Sequence, residues 1–74
     1  MNAYYELRKE NEEPVMTRLT NVLVEEIADM IQIHAEGSFM HEFYKKDVIS
    51  EDHSDDQDFF KLVNGTEIIL SFNN

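Results

Sequence analysis

The stretch DFFKLVNGTEIILSF, residues 58–72, constrains the fold more than any other part of the chain. Asn64-Gly65 separates two β-rich runs, and Asn-Gly is the preferred pair for a two-residue type I′ hairpin turn because both positions need positive φ. That turn predicts Val63 opposite Thr66, Lys61 opposite Ile68 and Phe59 opposite Leu70. Phe59, Val63, Ile68, Leu70 and Phe72 are then expected on one face, and Phe60, Leu62 and Ile69 on the other. A hairpin that is apolar on both faces is not stable alone in water and must be covered. One face is expected under a helix; the other needs a further strand, the Tyr4-Tyr5-Glu6-Leu7 segment, or a second copy of the chain. A homodimer is the preferred solution.

The covering helix is sought upstream. PVMTRLTNVLVEEIADMIQIHA, residues 14–35, has Met16, Leu19, Leu23, Ile27, Met30 and Ile31 spaced by three and four, with Val22 and Ile33 widening the stripe. This spacing predicts an amphipathic main helix, with Pro14 in its first turn, Thr17 or Thr20 as a later cap, and Gly37 as its stop. Ser38 is placed to cap a second, shorter helix, FMHEFYKKDVI, ending at Lys45 and Lys46. The expected fold class is therefore α+β: one small domain over 1–74, two helices followed by a C-terminal β-hairpin, dimeric through the sheet.

A chain of 74 residues buries only a thin core. It has no cysteine, which removes disulfides and thiolate metal sites and points to a cytoplasmic setting. No apolar run approaches membrane-spanning length, and the first residues, MNAYYELRKENEE, lack the order of a signal peptide. Sixteen acidic against six basic residues give a net charge of −10, while 42% hydrophobic content argues against disorder. Such a charge excludes direct contact with nucleic acid or anionic lipid, which requires clustered Lys and Arg, and favours a basic protein as partner.

The charge is unevenly placed. Residues 1–14 sum to −2, 15–49 to −3, 50–58 to −5 and 59–74 to zero. The run SEDHSDDQD, residues 50–58, reads as an acidic connector between the second helix and the hairpin. It is not a calcium loop: Asp52, Ser54, Asp56 and Asp58 alternate, but no glycine stands sixth and Val63 replaces the twelfth-position glutamate. His34, His41 and His53 show no ligand spacing, so no metal and no cofactor is expected. Catalysis is not expected either. Glu25-Glu26 and Asp55-Asp56 are adjacent without an apolar pocket to separate their pKa values, and no phosphate loop or thiol nucleophile is present. Two readings of the acids remain: a solvated face with a flexible loop, or carboxylates placed like phosphates. B-DNA carries one charge per roughly 1.7 Å of axis, so a dimer near −20 has the charge of about ten base pairs.

The stretch LVEEIADMIQIHAEGSFMHEFYKKDVI, with its Glu26-Ile27-Ala28-Asp29, resembles small phage-encoded proteins, including acidic DNA-mimicking antirestriction proteins, over about a third of the chain. Length, absence of cysteine, acidity and the terminal hairpin together resemble the host-takeover inhibitors of Twort-like staphylococcal phages that target the bacterial sliding clamp. That resemblance implies a dimer seated in the clamp's basic DNA channel, blocking clamp loading and arresting replication in the cytoplasm of the infected host. Gln57-Asp58-Phe59-Phe60 is only a remote approach to the short clamp-binding peptide Gln-x-x-Leu-Phe, which favours channel blocking over competition for the peptide pocket. The residues expected to bind are Glu51, Asp52, Asp55, Asp56 and Asp58, with Glu25, Glu26, Asp29 and Glu36 as a second set on the helical half. The alternatives are an antirestriction or anti-CRISPR mimic, and an interaction module that binds through its apolar hairpin face.

Overall fold

A computed structural model describes residues 1–73. The chain forms eight strands and a single 3₁₀ turn: β1 (Asn2–Arg8), β2 (Val15–Leu19), β3 (Leu23–Ile27), β4 (Met30–Ala35), β5 (Phe39–Tyr44), the turn Lys45–Asp47, β6 (Val48–His53), β7 (Gln57–Leu62) and β8 (Glu67–Asn73). They build a five-stranded antiparallel sheet in the order β2-β1-β8-β7-β6 and a three-stranded one in the order β3-β4-β5. No helix among the described residues is long and apolar enough to cross a membrane.

Neither expected helix exists, and the α+β reading is replaced by an all-β one. The three-and-four spacing over 14–35 is overridden by a period of two within shorter runs. Ile31, Ile33 and Ala35 alternate with Met30, Gln32 and His34, and Phe39, His41 and Phe43 alternate in the same way. Val, Ile and Thr recur through the segment and are stiff in helices but well suited to a pleated surface. Of the proposed helical stripe only Leu19, Ile31 and Ile33 are buried, while Met16, Leu23 and Ile27 are exposed. Turns interrupt the run where a helix would need continuity: Asn21 has φ +55°, and Ala28 has φ +54° in the two-residue link between Ile27 and Met30. Gly37 (φ +81°) and Ser38 (φ +64°) do not stop one helix and cap another; they form the tight link between β4 and β5. Lys45 and Lys46 lie in the 3₁₀ turn rather than at a helix end.

The Asn64-Gly65 hairpin is present with a shifted register. Phe60 pairs with Ile68 and Lys61 with Glu67, and the Leu62 N–H donates to the Thr66 carbonyl at 2.8 Å. The link is thus three residues, Val63-Asn64-Gly65, with Gly65 at φ +89° as the left-handed position and the Asn64 side chain accepting from the Thr66 N–H at 3.0 Å. One residue of slip moves side chains across the sheet. Phe60, Leu62, Ile68 and Leu70 point into the core, while Phe59 and Ile69 share the outer face. The Tyr4–Leu7 segment does become a strand, but it lengthens the sheet at β8 instead of covering its face.

Cover comes from the three-stranded sheet. Ala3, Tyr5, Leu19, Phe60, Leu62, Ile68 and Leu70 on one side meet Ile31, Ile33 and Phe43 on the other. Phe60, Ile33, Ile68 and Leu70 are essentially solvent-free, each contributing about 1.5–3 kcal/mol by burial. Edge-to-face rings run through the layer: Phe39 to Tyr5 at 5.1 Å, Phe43 to Phe60 at 5.3 Å, and Phe60 to His53 at 5.3 Å. His53 belongs to the acidic run, so this chain of rings ties that run to the core.

Candidate acidic interface

Residues 50–58 are not a connector. They form most of the β6–β7 hairpin, with Glu51 opposite Phe60, Asp52 opposite Phe59 and His53 opposite Asp58. Ser54, Asp55 and Asp56 make the turn, as residues whose side chains bond to nearby backbone tend to do. The Ser54 N–H donates to the Gln57 carbonyl at 2.8 Å, and its hydroxyl donates to the Asp56 carboxylate at 2.9 Å. The Phe72 N–H donates to the Asp56 carbonyl at 2.8 Å, anchoring the turn to the end of β8.

His53 holds two of the five acids. Its Nδ1 lies 2.7 Å from Asp58 and its Nε2 lies 3.4 Å from Glu51. The hydrogen bond to Asp58 raises the His53 pKa, and the bond to Glu51 adds to it. Glu51 and Asp58 are therefore engaged within the hairpin, whereas Asp52, Asp55 and Asp56 present their carboxylates to solvent.

The second predicted set does not lie on a helix face. Glu25, Glu26 and Asp29 belong to the β3–β4 hairpin of the other sheet, and Glu36 to the link between β4 and β5. Glu25 lies 3.7 Å from His34, Glu26 accepts from Lys45 at 3.1 Å, and Glu36 accepts from Asn21 at 2.6 Å. Across the two sets, Glu26 and Glu51 come to the same place. They line a cleft of about 220 Å³ between the sheets, with Ile31, Val48 and Ile49 as apolar walls and Lys45 beside them. The cleft lies along the irregular start of β6, where the ladder shifts register between Val48 and Ser50.

Several features escaped the sequence reading. The β1–β2 link carries Glu10, Glu12 and Glu13, all exposed, and forms a further acidic loop at the end of the five-stranded sheet away from Asp55. The composition of Lys9–Pro14 was the available signal. The Tyr5 hydroxyl is hydrogen-bonded to Nδ1 of His41 across the two sheets. No local pattern announces a contact between residues 36 positions apart. Burial raises the Tyr5 pKa to about 12 and, with Lys9 nearby, lowers that of His41. Gln57-Asp58-Phe59-Phe60 lies within β7 with Phe60 in the core, so it is not displayed as a free peptide. Among the described residues no three His, Asp or Glu side chains converge as metal ligands would.

Comparison with protein-family models, with curated proteins and with solved structures finds no match for this chain. The functional reading therefore rests on the site alone. A rigid hairpin carrying three solvent-facing carboxylates at one end, with a second acidic loop at the other, is suited to meeting Lys and Arg side chains of a basic surface.

Proposed function

We propose that the chain acts by occupancy: its carboxylates take the place of nucleic-acid phosphates on the basic channel of a DNA-processing protein, and so keep DNA out. The first candidate is the bacterial sliding clamp, the β subunit of DNA polymerase III, whose loading onto DNA would be blocked and host replication arrested, as in a phage inhibitor. The observation that supports this reading is the β6–β7 hairpin. Its backbone is fixed by the β7 ladder and by the Phe72–Asp56 bond, while Asp52, Asp55 and Asp56 are exposed along it. Charge fixed on a rigid element loses little entropy on contact and steers association with an oppositely charged channel.

A homodimer belongs to the proposal. The outer face of the five-stranded sheet carries Tyr4, Met16, Phe59 and Ile69. Arg8, Arg18 and Lys61 there balance Glu6, Asp52 and Glu67, three against three, with Asp52 at the margin on edge strand β6, where it stays open to a basic partner. A chain at −10 repels its own copy, and this neutral, partly apolar face is where such repulsion is least.

The test is binding of the purified chain to purified sliding clamp, followed by loading of the complex onto primed DNA. Binding that weakens with salt and a complex that does not load are expected. Asp52, Asp55 and Asp56 changed together to Asn should keep the fold, since Asn retains an oxygen to accept from Ser54. At about 0.5–1 kcal/mol per exposed ion pair, the triple variant should bind roughly ten-fold or more weakly. A clamp that fails to bind, or that loads normally while bound, would remove this reading.

A further inference from the structure

The outer face of the three-stranded sheet has a different character from that of the five-stranded one. Strand register arranges it in three rows: Leu23, His34 and Met40; Glu25, Gln32 and Glu42; Ile27, Met30 and Tyr44. Leu23, Ile27 and Met40 are about half exposed, at 52%, 50% and 52%, and none of the nine residues is Lys or Arg. Ile27, Met30 and Tyr44 form an apolar row across all three strands, Leu23 and Met40 form a second one interrupted by His34, and the two flank a polar row. Single exposed apolar residues are ordinary, but apolar rows grouped on one face of a sheet mark an interaction surface.

The central row settles what fits. Gln32 donates to Glu42 at 2.9 Å, and His34 Nε2 meets the Gln32 side-chain oxygen at 3.0 Å and lies 3.7 Å from Glu25, so each carboxylate has a polar neighbour on this face. Lys46 lies over the Tyr44 ring, 5.3 Å from its centroid, at the margin of the face. A second copy would set Glu25 and Glu42 against the same carboxylates, and a wholly apolar partner would bury them without a counter-charge, which is costly. The two apolar rows are four residues apart along the strands, about 13 Å, and on a helix rising about 1.5 Å per residue the positions four before and four after a central residue are about 12 Å apart.

We propose that this face docks an amphipathic helix of a partner protein whose apolar stripe carries one Arg or Lys at its centre. The cation meets Glu25 and Glu42, and apolar residues three and four positions to either side rest on the Leu23–Met40 and Ile27–Tyr44 rows. This surface is separate from the acidic hairpin and does not depend on the sliding clamp being the target.

The experiment is nuclear magnetic resonance titration of the isotopically labelled full chain with a synthetic helical peptide. The peptide has Arg at a central position, Leu at the third and fourth positions on each side, and Ala and Gln elsewhere. A second peptide replaces that Arg by Glu, and oligolysine is a third probe. The Arg peptide should shift the amides of β3, β4 and β5, the Glu peptide should bind about ten-fold or more weakly, and oligolysine should go to the hairpin around Asp55. Leu23→Ser with Met40→Ser, both at exposed positions, should abolish binding of the Arg peptide while leaving the remaining spectrum unchanged. Failure of the Arg peptide to bind, its mapping to the hairpin, or equal affinity for the Glu peptide would overturn the proposal. So would concentration-dependent shifts of the same amides in the chain alone, which would assign the face to a second copy. Oligolysine that ignores the hairpin would count against the occupancy reading instead.

Discussion

The Tyr5–His41 contact gives the fold a measurable dependence on alkaline pH. Tyr5 is 5% exposed, on β1, and its hydroxyl meets Nδ1 of His41 on β5, so the bond spans the two sheets. Burial lowers the His41 pKa and so favours the neutral imidazole, and in the tautomer that leaves Nδ1 unprotonated the Tyr5 hydroxyl donates to it. Burial also raises the Tyr5 pKa from 10.0 to about 12. The folded chain thus holds the phenolic proton more tightly than the unfolded chain does. Its contribution is complete below the unfolded value of 10.0 and is lost as pH rises through about 12. Two pH units at about 1.4 kcal/mol each give roughly 2–3 kcal/mol, a large share of the stability of so small a domain. The assay is tyrosinate absorbance followed against pH, with circular dichroism on the same samples. The Tyr5 phenol should ionise well above 10.0, or only as the sheets separate. Tyr5→Phe should remove that late step, and should cost about 1–2 kcal/mol because His41 Nδ1 loses its partner. A Tyr5 phenol that ionises at its ordinary 10.0 in a chain that stays folded would refute the argument.

Other changes have equally definite outcomes. Ala28 sits at φ +54°, a left-handed conformation that glycine adopts without the steric cost, so Ala28→Gly should stabilise the chain by about 0.5–1 kcal/mol in urea unfolding. Ile69→Asp on the outer face should convert the proposed dimer to a folded monomer in sedimentation, whereas Phe60→Asp should unfold the chain because Phe60 is 2% exposed. A stable monomer for the unmodified chain would remove the dimer. The His53 pKa is raised by Asp58, so its contribution is complete below the ordinary histidine value and lost as pH rises past the folded one. The difference in melting temperature between the chain and His53→Ala should therefore shrink as pH rises above 6.5. His41, with its lowered pKa, acts in the opposite sense and weakens the fold as pH falls below 6.5.

What could be read from the sequence was local, and what was missed was set by partners distant in the chain. Asn64-Gly65 marks a hairpin in any context, and both strands are there; the register was lost because Gly65 alone takes the left-handed position and the link has three residues. Tyr4–Leu7 was open as one possible cover for the hairpin, and nothing nearby shows that it is a strand paired with β8. The segment from Pro14 to Ala35 misled because three short strands and their turns place apolar residues at intervals that also fit a helix. The strict alternation in MIQIHA and FMHEFY was the better signal. Residues 50–58 look like a linker because an edge strand needs no apolar face, and from Ile49 to His53 every residue of β6 is exposed. The acids themselves were found, but their grouping was not. Glu25, Glu26 and Asp29 lie on the other sheet, and Glu51 and Asp58 are held by His53.

The position of β6 gives its charge a structural role that is separable from binding. An edge strand offers unpaired backbone groups to any other strand, and acidic side chains along it repel a second copy before those groups can pair. Glu51 and Asp52 do this for β6, and His53 secures Glu51 from within. At the turn the same reasoning fails, because Asp55 and Asp56 lie beyond the strand and guard no ladder. Asp56 contributes a side-chain oxygen to Ser54, which an amide would supply as well, and Asp55 makes no polar contact among the described residues. Two like charges side by side at a tip raise the energy of the isolated chain and stabilise nothing within it. Contact with a cationic surface reverses the sign of that energy, so the hairpin tip is where charge is least explained by the fold and best placed for a partner.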